Sequence, residues 1–245
     1  MPPGIVAALL SEARILTKGP LAPGALTALP EGAMLFISGI GPDRGRLAAQ
    51  TLLAKGATAL VSWGCAGALL PGLSPGNLIL PERILAADQS VYPADPSWHA
   101  RVSSRLKGYV DPHGGMLAES TMALTSLPEK VTLLRRTGAV AVDMESASIA
   151  RVAKEERIPF VAIRAITDGP EMDIPRSALD SIDEYGRIRA RKLLSNMARH
   201  PLEFLALIRM GRNFRAAEAT LAKVFLHAGH YLLCPQGQDD ARQKG

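Results

Sequence analysis

Three acids stand beside apolar runs in the stretch AVAVDMESASIARVAKEERIPFVAIRAITDG, residues 139–169: Asp143, Glu145 and Asp168. Carboxylates among Ala, Val and Ile are costly to bury unless they are paired, hydrogen-bonded or kept protonated, so acids in such places point to acid–base chemistry. A fourth acid, Glu12, follows the first apolar run of the N-terminal stretch MPPGIVAALLSEARIL. Taken singly, each has a plainer reading: Glu145 as a charge opening a helix, Asp168 as a cap or turn residue, Glu12 as a surface acid.

The elements that must position these acids alternate along the chain. Met34 to Ser38, Thr58 to Trp63, Asn77 to Leu80, Met116 to Ala118, Ala139 to Val142 and Phe160 to Ile166 read as strands. Arg46 to Lys55, with Leu47, Leu52 and Leu53 on one face, Pro128 to Arg136 and Glu145 to Arg157 read as helices. Such alternation predicts an α/β fold with a parallel or mixed sheet covered by helices. Ligands of such folds collect beyond the carboxyl ends of strands, where Ser38, Gly64, Asp143 and Asp168 fall. Strand alternation places Arg164 on the face of Ile166 and Asp168, opposite Ala165.

Two glycine-rich segments follow strands: SGIGPDRG, residues 38–45, and SWGCAGALLPG, residues 62–72. Neither is a dinucleotide or P-loop fingerprint, and the glycines alone suit a tight turn as well as a ligand loop. The 245 residues are 47% hydrophobic, enough for a substantial core. Cys65 and Cys234 are far apart and outside any CxxC spacing, against a disulfide framework or zinc knuckle and in favour of a reducing compartment. No cation precedes the N-terminal apolar run, which Ser11 and Glu12 interrupt, so neither signal peptide nor membrane span is expected and the cytoplasm is the expected location. His227 and His230 are three apart, but two ligands do not make a metal site.

Together, SGIG, WGCAG, VDMESASIA and IRAITD resemble the purine nucleoside phosphorylase and methylthioadenosine nucleosidase superfamily, in order from about Gly4 to Asp168. Within it, residues 137–168 and the stretch LDSIDEYGRIRARKLLSNMARHPLEFLALIRM are most similar to hopanoid-associated phosphorylases, which release adenine from adenosylhopane. The resemblance implies a three-layer nucleoside-phosphorylase-like fold with a mixed central sheet and a C-terminal helical extension. The domains are expected as residues 1–177 for the catalytic part, 178–234 for a basic helical extension and 235–245 for a disordered tail.

The resemblance also implies roles. Asp168 matches the acid that protonates the purine at N7, and its burial is expected to raise its pKa; Glu145 matches the acid that grips the ribose hydroxyls, and Met144 presses on the sugar. Glu12 aligns with the glutamate that activates water. Arg164 matches an arginine near the nucleophile. Asp143, Ser38, Gly39, Gly41, Gly64 and Cys65 are the further substrate-binding candidates, and Met122 occupies the place where relatives stack an aromatic on the base. No cofactor or metal is expected. Phosphate remains an open co-substrate, with Arg44, Arg46 and Arg164 available, yet Cys65 stands where relatives carry serine, and a carboxylate at Glu12 favours water.

Three alternatives stay open: a methylthioadenosine or other purine nucleosidase, a nucleoside-binding protein without turnover, and a nucleic-acid binder. The last would use the basic segment Gly186 to Phe225, with nine Lys/Arg against Glu203 and Glu218, but few aromatics there could stack bases. No nucleic-acid partner is expected, and a homo-oligomer is. From Leu207 onward Leu207, Met210, Phe214, Leu221, Val224 and Phe225 form an apolar stripe, with Arg209, Arg212, Arg215 and Lys223 elsewhere. The stripe suits either core packing or peripheral docking on the inner membrane face beside a lipid-linked adenine nucleoside.

Overall fold

The computed structural model describes residues 2–175, 178, 180–192, 195 and 203–233. Eleven strands form one mixed sheet: β1 (Pro3–Ala7), β2 (Leu26–Ala28), β3 (Met34–Ile37), β4 (Ala59–Ala68), β5 (Leu78–Ile79), β6 (Arg83–Leu85), β7 (Val91–Pro93), β8 (Pro112–His113), β9 (Met116–Glu119), β10 (Ala141–Asp143) and β11 (Phe160–Asp168). Among the described residues six α-helices cover it: α1 (Leu10–Leu16), α2 (Pro42–Ala54), α3 (Pro96–Leu106), α4 (Leu127–Thr137), α5 (Ser146–Glu155) and α6 (Phe204–Leu233). The main path of the sheet runs β2-β3-β1-β4-β10-β9-β6-β7, and β11 adds to the other edge of β4 and leads to β5 and β8.

The layers follow from alternation along β11. Val161, Ile163 and Ala165 face a core shared with Ala13 and Leu16 of α1, Trp98, Val102 and Leu106 of α3, and Leu221, Val224 and Ala228 of α6. Phe160, Ala162 and Ile166 face the opposite core, with Ala48, Ala49 and Leu52 of α2 and Ile149, Val152 and Ala153 of α5. Helix, sheet and helix therefore form three layers. Each large side chain so buried contributes about 1.5–3 kcal/mol. Caps set the helix limits: Asp95 accepts from the Trp98 N–H at 2.7 Å, and Glu129 accepts from the Ser126 N–H at 3.0 Å.

Several sequence expectations change. Helix α2 begins four residues earlier than the apolar pattern predicts, because Pro42 suits the first helical turn. Its buried face is Gly45, Ala48, Ala49 and Leu52, while Leu47 is exposed. Strand β4 does not stop at Trp63 but carries WGCAG within it, since parallel β11 pairs with it from Leu60 to Gly67. Gly64 is thus inside a strand rather than at its end. Beyond these, β1, β2, β6, β7 and β8 were not anticipated. The register slips between Ile166 and Asp168, leaving Thr167 as a bulge. The extra residue reverses the alternation, so Asp168 leaves the face of Arg164 and Ile166 and joins that of Cys65.

The stripe of α6 is core from Ala217 to Leu233, while Met210 and Phe214 are half-buried and Leu205 and Ile208 exposed. Cys234 and the expected tail lie outside the described residues. No helix among the described residues is long and apolar enough to cross a membrane. Trp98 ties α6 down: fully buried, it donates from Nε1 to the Tyr231 carbonyl at 2.7 Å. Trp98→Ala is therefore expected to destabilise the fold by about 3–5 kcal/mol. Urea unfolding checks this, and a loss below about 1 kcal/mol would show that α6 is not part of the cooperative core.

Candidate active site

The site forms where β4 lacks a neighbour on one edge. Strand β1 pairs with β4 up to Ala7 opposite Trp63, and antiparallel β10 resumes with Val142 opposite Gly67. Between them the Cys65 N–H has no strand partner. Glu12, from the first turn of α1, fills that place: its Oε1 accepts from Cys65 N and its Oε2 from Leu9 N, both at 2.9 Å. A side chain at Gly64 would put its Cβ 2.6 Å from Glu12 Oε1, and one at Gly67 would sit 3.0 Å from Asp168 Oδ2. The glycines of WGCAG are spaces for two carboxylates.

The SGIG segment serves the third. Gly41, at φ +114°, precedes α2 and turns its N–H toward Glu145 Oε1 at 2.7 Å, a backbone shape that favours glycine. Glu145 itself precedes the first residue of α5. Asp143 lies behind, where its Oδ2 accepts from Arg164 Nε at 2.8 Å and from the Ser146 hydroxyl at 2.5 Å. Arg164 completes the network by donating to the Ser62 hydroxyl at 2.6 Å. Asp168 Oδ2 accepts from Lys130 Nζ at 2.6 Å, and Oδ1 from the Thr167 hydroxyl at 2.9 Å.

Glu12, Asp143, Glu145 and Asp168 retain only 3, 6, 7 and 8% exposure, so four carboxyl groups share a nearly dry site. Burial pushes Glu12 above its usual range despite the opposing Arg164 charge. Burial, and then the nearby Asp143 charge, push Glu145 up to about 8. Glu119, at the end of β9 beside Asp143, rises to about 7 for the same two reasons. Burial and Glu12 raise the Cys65 thiol well above its ordinary value, which keeps it neutral. Burial opposes the Arg164 charge, but Asp143, Glu12 and Glu145 outweigh it and raise its pKa.

Of the residues singled out in the sequence, Glu12, Cys65, Met122, Asp143, Met144, Glu145 and Asp168 line one cleft. Arg164 stands behind it, salt-bridged to Asp143, and Ser38 is buried, its hydroxyl donating to the Gly39 carbonyl at 2.8 Å. Gly39, Gly41 and Gly64 shape the surroundings. Met122 is 73% exposed at the rim, and Phe214 of α6 brings an aromatic to the lining. Arg44 and Arg46 lie outside this lining, within reach of Glu184 and Asp43 at 3.8 and 3.9 Å. His227 stacks on Tyr109, and no cluster of metal-binding side chains occurs among the described residues.

Sequence reasoning missed Lys130, Ser62, Ser146, Glu119 and Phe214. Only Lys130 left a usable signal: it shares the buried face of α4 with Leu133, three residues on. Its ammonium is ion-paired with the buried Asp168 carboxyl.

Residues 31–200 match the Phosphorylase superfamily. The chain belongs to that superfamily. It is 31% identical over 155 residues to a 5′-methylthioadenosine/S-adenosylhomocysteine nucleosidase of Baumannia cicadellinicola subsp. Homalodisca coagulata, covering 55% of this chain and 67% of the relative. The corresponding nucleosidase of Treponema pallidum (strain Nichols) is 33% identical over 92 residues, 34% of each chain. Among solved structures, the S. pneumoniae 5′-methylthioadenosine/S-adenosylhomocysteine nucleosidase superposes with a TM-score of 0.70 at 19% identity, covering 96% of this chain and 100% of that one. Futalosine hydrolase of Helicobacter pylori gives 0.66 at 17%, over 91% and 96%. These structural likenesses establish the nucleosidase-type fold. Glu12 precedes the matched residues, so its place at the site rests on the geometry above.

The raised carboxyls of this cleft make stability depend on pH. A group held above its ordinary value of 4.5 in the fold contributes stability below that value and loses it as pH rises through its folded value. Unfolding free energy is therefore expected to decline between pH 4.5 and about 8 through Glu145, with Glu119 sharing the part up to about 7. Glu145→Gln keeps the acceptor for Gly41 but removes the titration, and urea midpoints across this range should flatten. An undiminished decline would show that Glu145 titrates normally.

Proposed function

We propose that the protein hydrolyses the N-glycosidic bond of an adenine nucleoside. The observation that carries this reading is the convergence of Glu12, Glu145 and Asp168 on one cleft in a chain of this superfamily. Breaking such a bond requires protonation of the leaving purine, support for a cationic sugar and a nucleophile at C1′. Asp168 gives its proton to N7, and the bonding electrons pass to the purine. Glu145 accepts hydrogen bonds from the ribose hydroxyls while Met144 packs on the sugar. Glu12, raised toward neutrality and held by two N–H groups, takes the proton of the attacking water. Neither cation near the carboxylates is free for phosphate, because Arg164 is held by Asp143 and Lys130 by Asp168.

The sequence resemblance extends the reading to adenosylhopane as substrate, with a ribosyl hopane as the other product. Its apolar part would lie in a bilayer, and the first half of α6, with Leu205 and Ile208 exposed beside Arg209, Arg212 and Arg215, suits contact with anionic lipid. The second half, buried in the core, is not available for it.

Incubation with adenosine-type nucleosides is expected to release adenine and an unphosphorylated sugar without added phosphate. A strict phosphate requirement would overturn hydrolysis. Asp168→Asn should lower turnover by about 10²–10⁴, and Glu12→Gln should abolish most of the water reaction. Full activity in either variant would remove that residue from its role. Co-sedimentation with anionic vesicles at low salt tests the lipid contact, and protein remaining in the supernatant would end it.

A further inference from the structure

Lys130 has no part in the chemistry just described, yet it is 1% exposed and its ammonium is fully used. Nζ donates to Asp168 Oδ2 at 2.6 Å and to the carbonyls of Gly169 and Met172, each at 2.9 Å. Three acceptors match the three N–H bonds of a protonated lysine, and a neutral amine would leave one acceptor facing a lone pair. A buried cation is costly unless paired, so an apolar helix position spent on lysine requires a return. The two carbonyls would be satisfied by any donor; the short contact to Asp168 is the one that reaches the reacting centre.

We propose that Lys130 is a positioning residue for the general acid: it fixes the Asp168 carboxyl toward the purine and stabilises the carboxylate that remains once the proton has moved. The inference rests on the adenine-nucleoside reading above. The Asp168 O–H bond breaks as N7–H forms, the C1′–N9 electrons pass to the purine, and negative charge appears on Asp168 beside the ammonium. Lys130 itself keeps its three protons. Its attraction is stronger after proton transfer than before, so it lowers the barrier rather than only binding substrate. With Thr167 on Oδ1 and Lys130 on Oδ2, both oxygens are held in place while the carboxyl keeps a direction free for the O–H that donates to the base.

Other charged groups around the pair are distinguishable from it. Glu12, Asp143, Glu145 and Cys65 line the same cleft, with Arg164 behind Asp143. Glu129 and Asp173, near the start of α4, are engaged with the backbone of Thr125, Ser126 and Leu127. Exposed Glu171 lies on the loop after Asp168, and α6 carries Glu218 and Arg215, whose charges act on each other.

The test is the pH profile of kcat/KM for adenine release by wild type, Lys130→Met and Lys130→Arg, with thermal unfolding to establish that each variant is folded. An opposite charge favours the carboxylate over the carboxylic acid, commonly by about 1–3 pH units. Removing it should therefore move the limb on which activity falls with rising pH upward by about one unit or more. The plateau should fall roughly tenfold, because the acid is weaker. Lys130→Arg retains a cation and should keep the limb near its wild-type position. A uniform loss at every pH, with the limb unmoved, would reduce Lys130 to a structural role and overturn the proposal. A downward shift would do so too, by making Lys130 itself a source of the proton. Should the arginine variant not fold, the methionine profile decides alone. Wild-type protein that releases no adenine from any nucleoside would overturn both the proposal and the function it rests on.

Discussion

Between Trp63 and Gly67, strand β4 loses its neighbour on one edge, and the site depends on how that break is filled. Two strand ends, those of β1 and β10, approach each other there from opposite directions. A backbone N–H inside a sheet must find an acceptor, and the one at Cys65 takes a side-chain carboxylate in place of a carbonyl. That substitution draws Glu12 into the sheet and excludes any side chain at Gly64. The same carboxylate satisfies the Leu9 N–H at the start of α1. A catalytic candidate is thus also a fold-forming residue, which explains why its geometry is fixed before any ligand arrives.

The cost of gathering acids is met from behind. Arg164 and Lys130 come from different elements, β11 and α4, and each is committed to one carboxylate. Asp143 is the most fully bound of the four, with Arg164 and Ser146 on it, so its part is to hold the arginine and the start of α5 in place. Glu12 accepts from the backbone of Leu9 and Cys65 and from the Cys65 thiol, Glu145 from the Gly41 N–H, and both lie at raised pKa. Environment therefore separates chemically identical groups: Asp143 and Asp168 are paired with cations, whereas Glu12 and Glu145 are held above their ordinary value.

Much of this was legible because the acids sit at the ends of strongly apolar strands, and strand ends are where α/β folds assemble sites. VDMES and IRAITD declared themselves by that contrast, and SGIG and WGCAG by glycine content. What stayed hidden was long-range. The N–H of Gly41 meets Glu145 across 104 residues, and no local pattern encodes that contact. The bulge at Thr167 inverts one step of alternation, so a strict period of two put Asp168 on the wrong face. The spacing of Lys130 and Leu133 marks a shared face of α4, but nothing local says that the lysine's partner is Asp168, 38 residues on. Short strands such as β6 and β8 are held by sheet neighbours rather than by their own apolar patterns.

The balance of charge bears on the nucleophile. Phosphate would bring more negative charge into a cleft already lined by four acids, and it needs a cation to receive it. Freeing Arg164 for that purpose would strand Asp143 as a buried, unpaired charge, a change that commonly costs about 3–5 kcal/mol. Freeing Lys130 would take support from the group assigned to protonate the purine. Arg44 and Arg46 stand half-exposed outside the cleft lining and do not relieve the shortage. Water carries no such demand. It requires only a base, and a buried glutamate whose pKa lies above its ordinary value is better matched to accept a proton near neutrality than an exposed one. The charge pattern that holds the sheet break together thus favours the neutral nucleophile over the charged one.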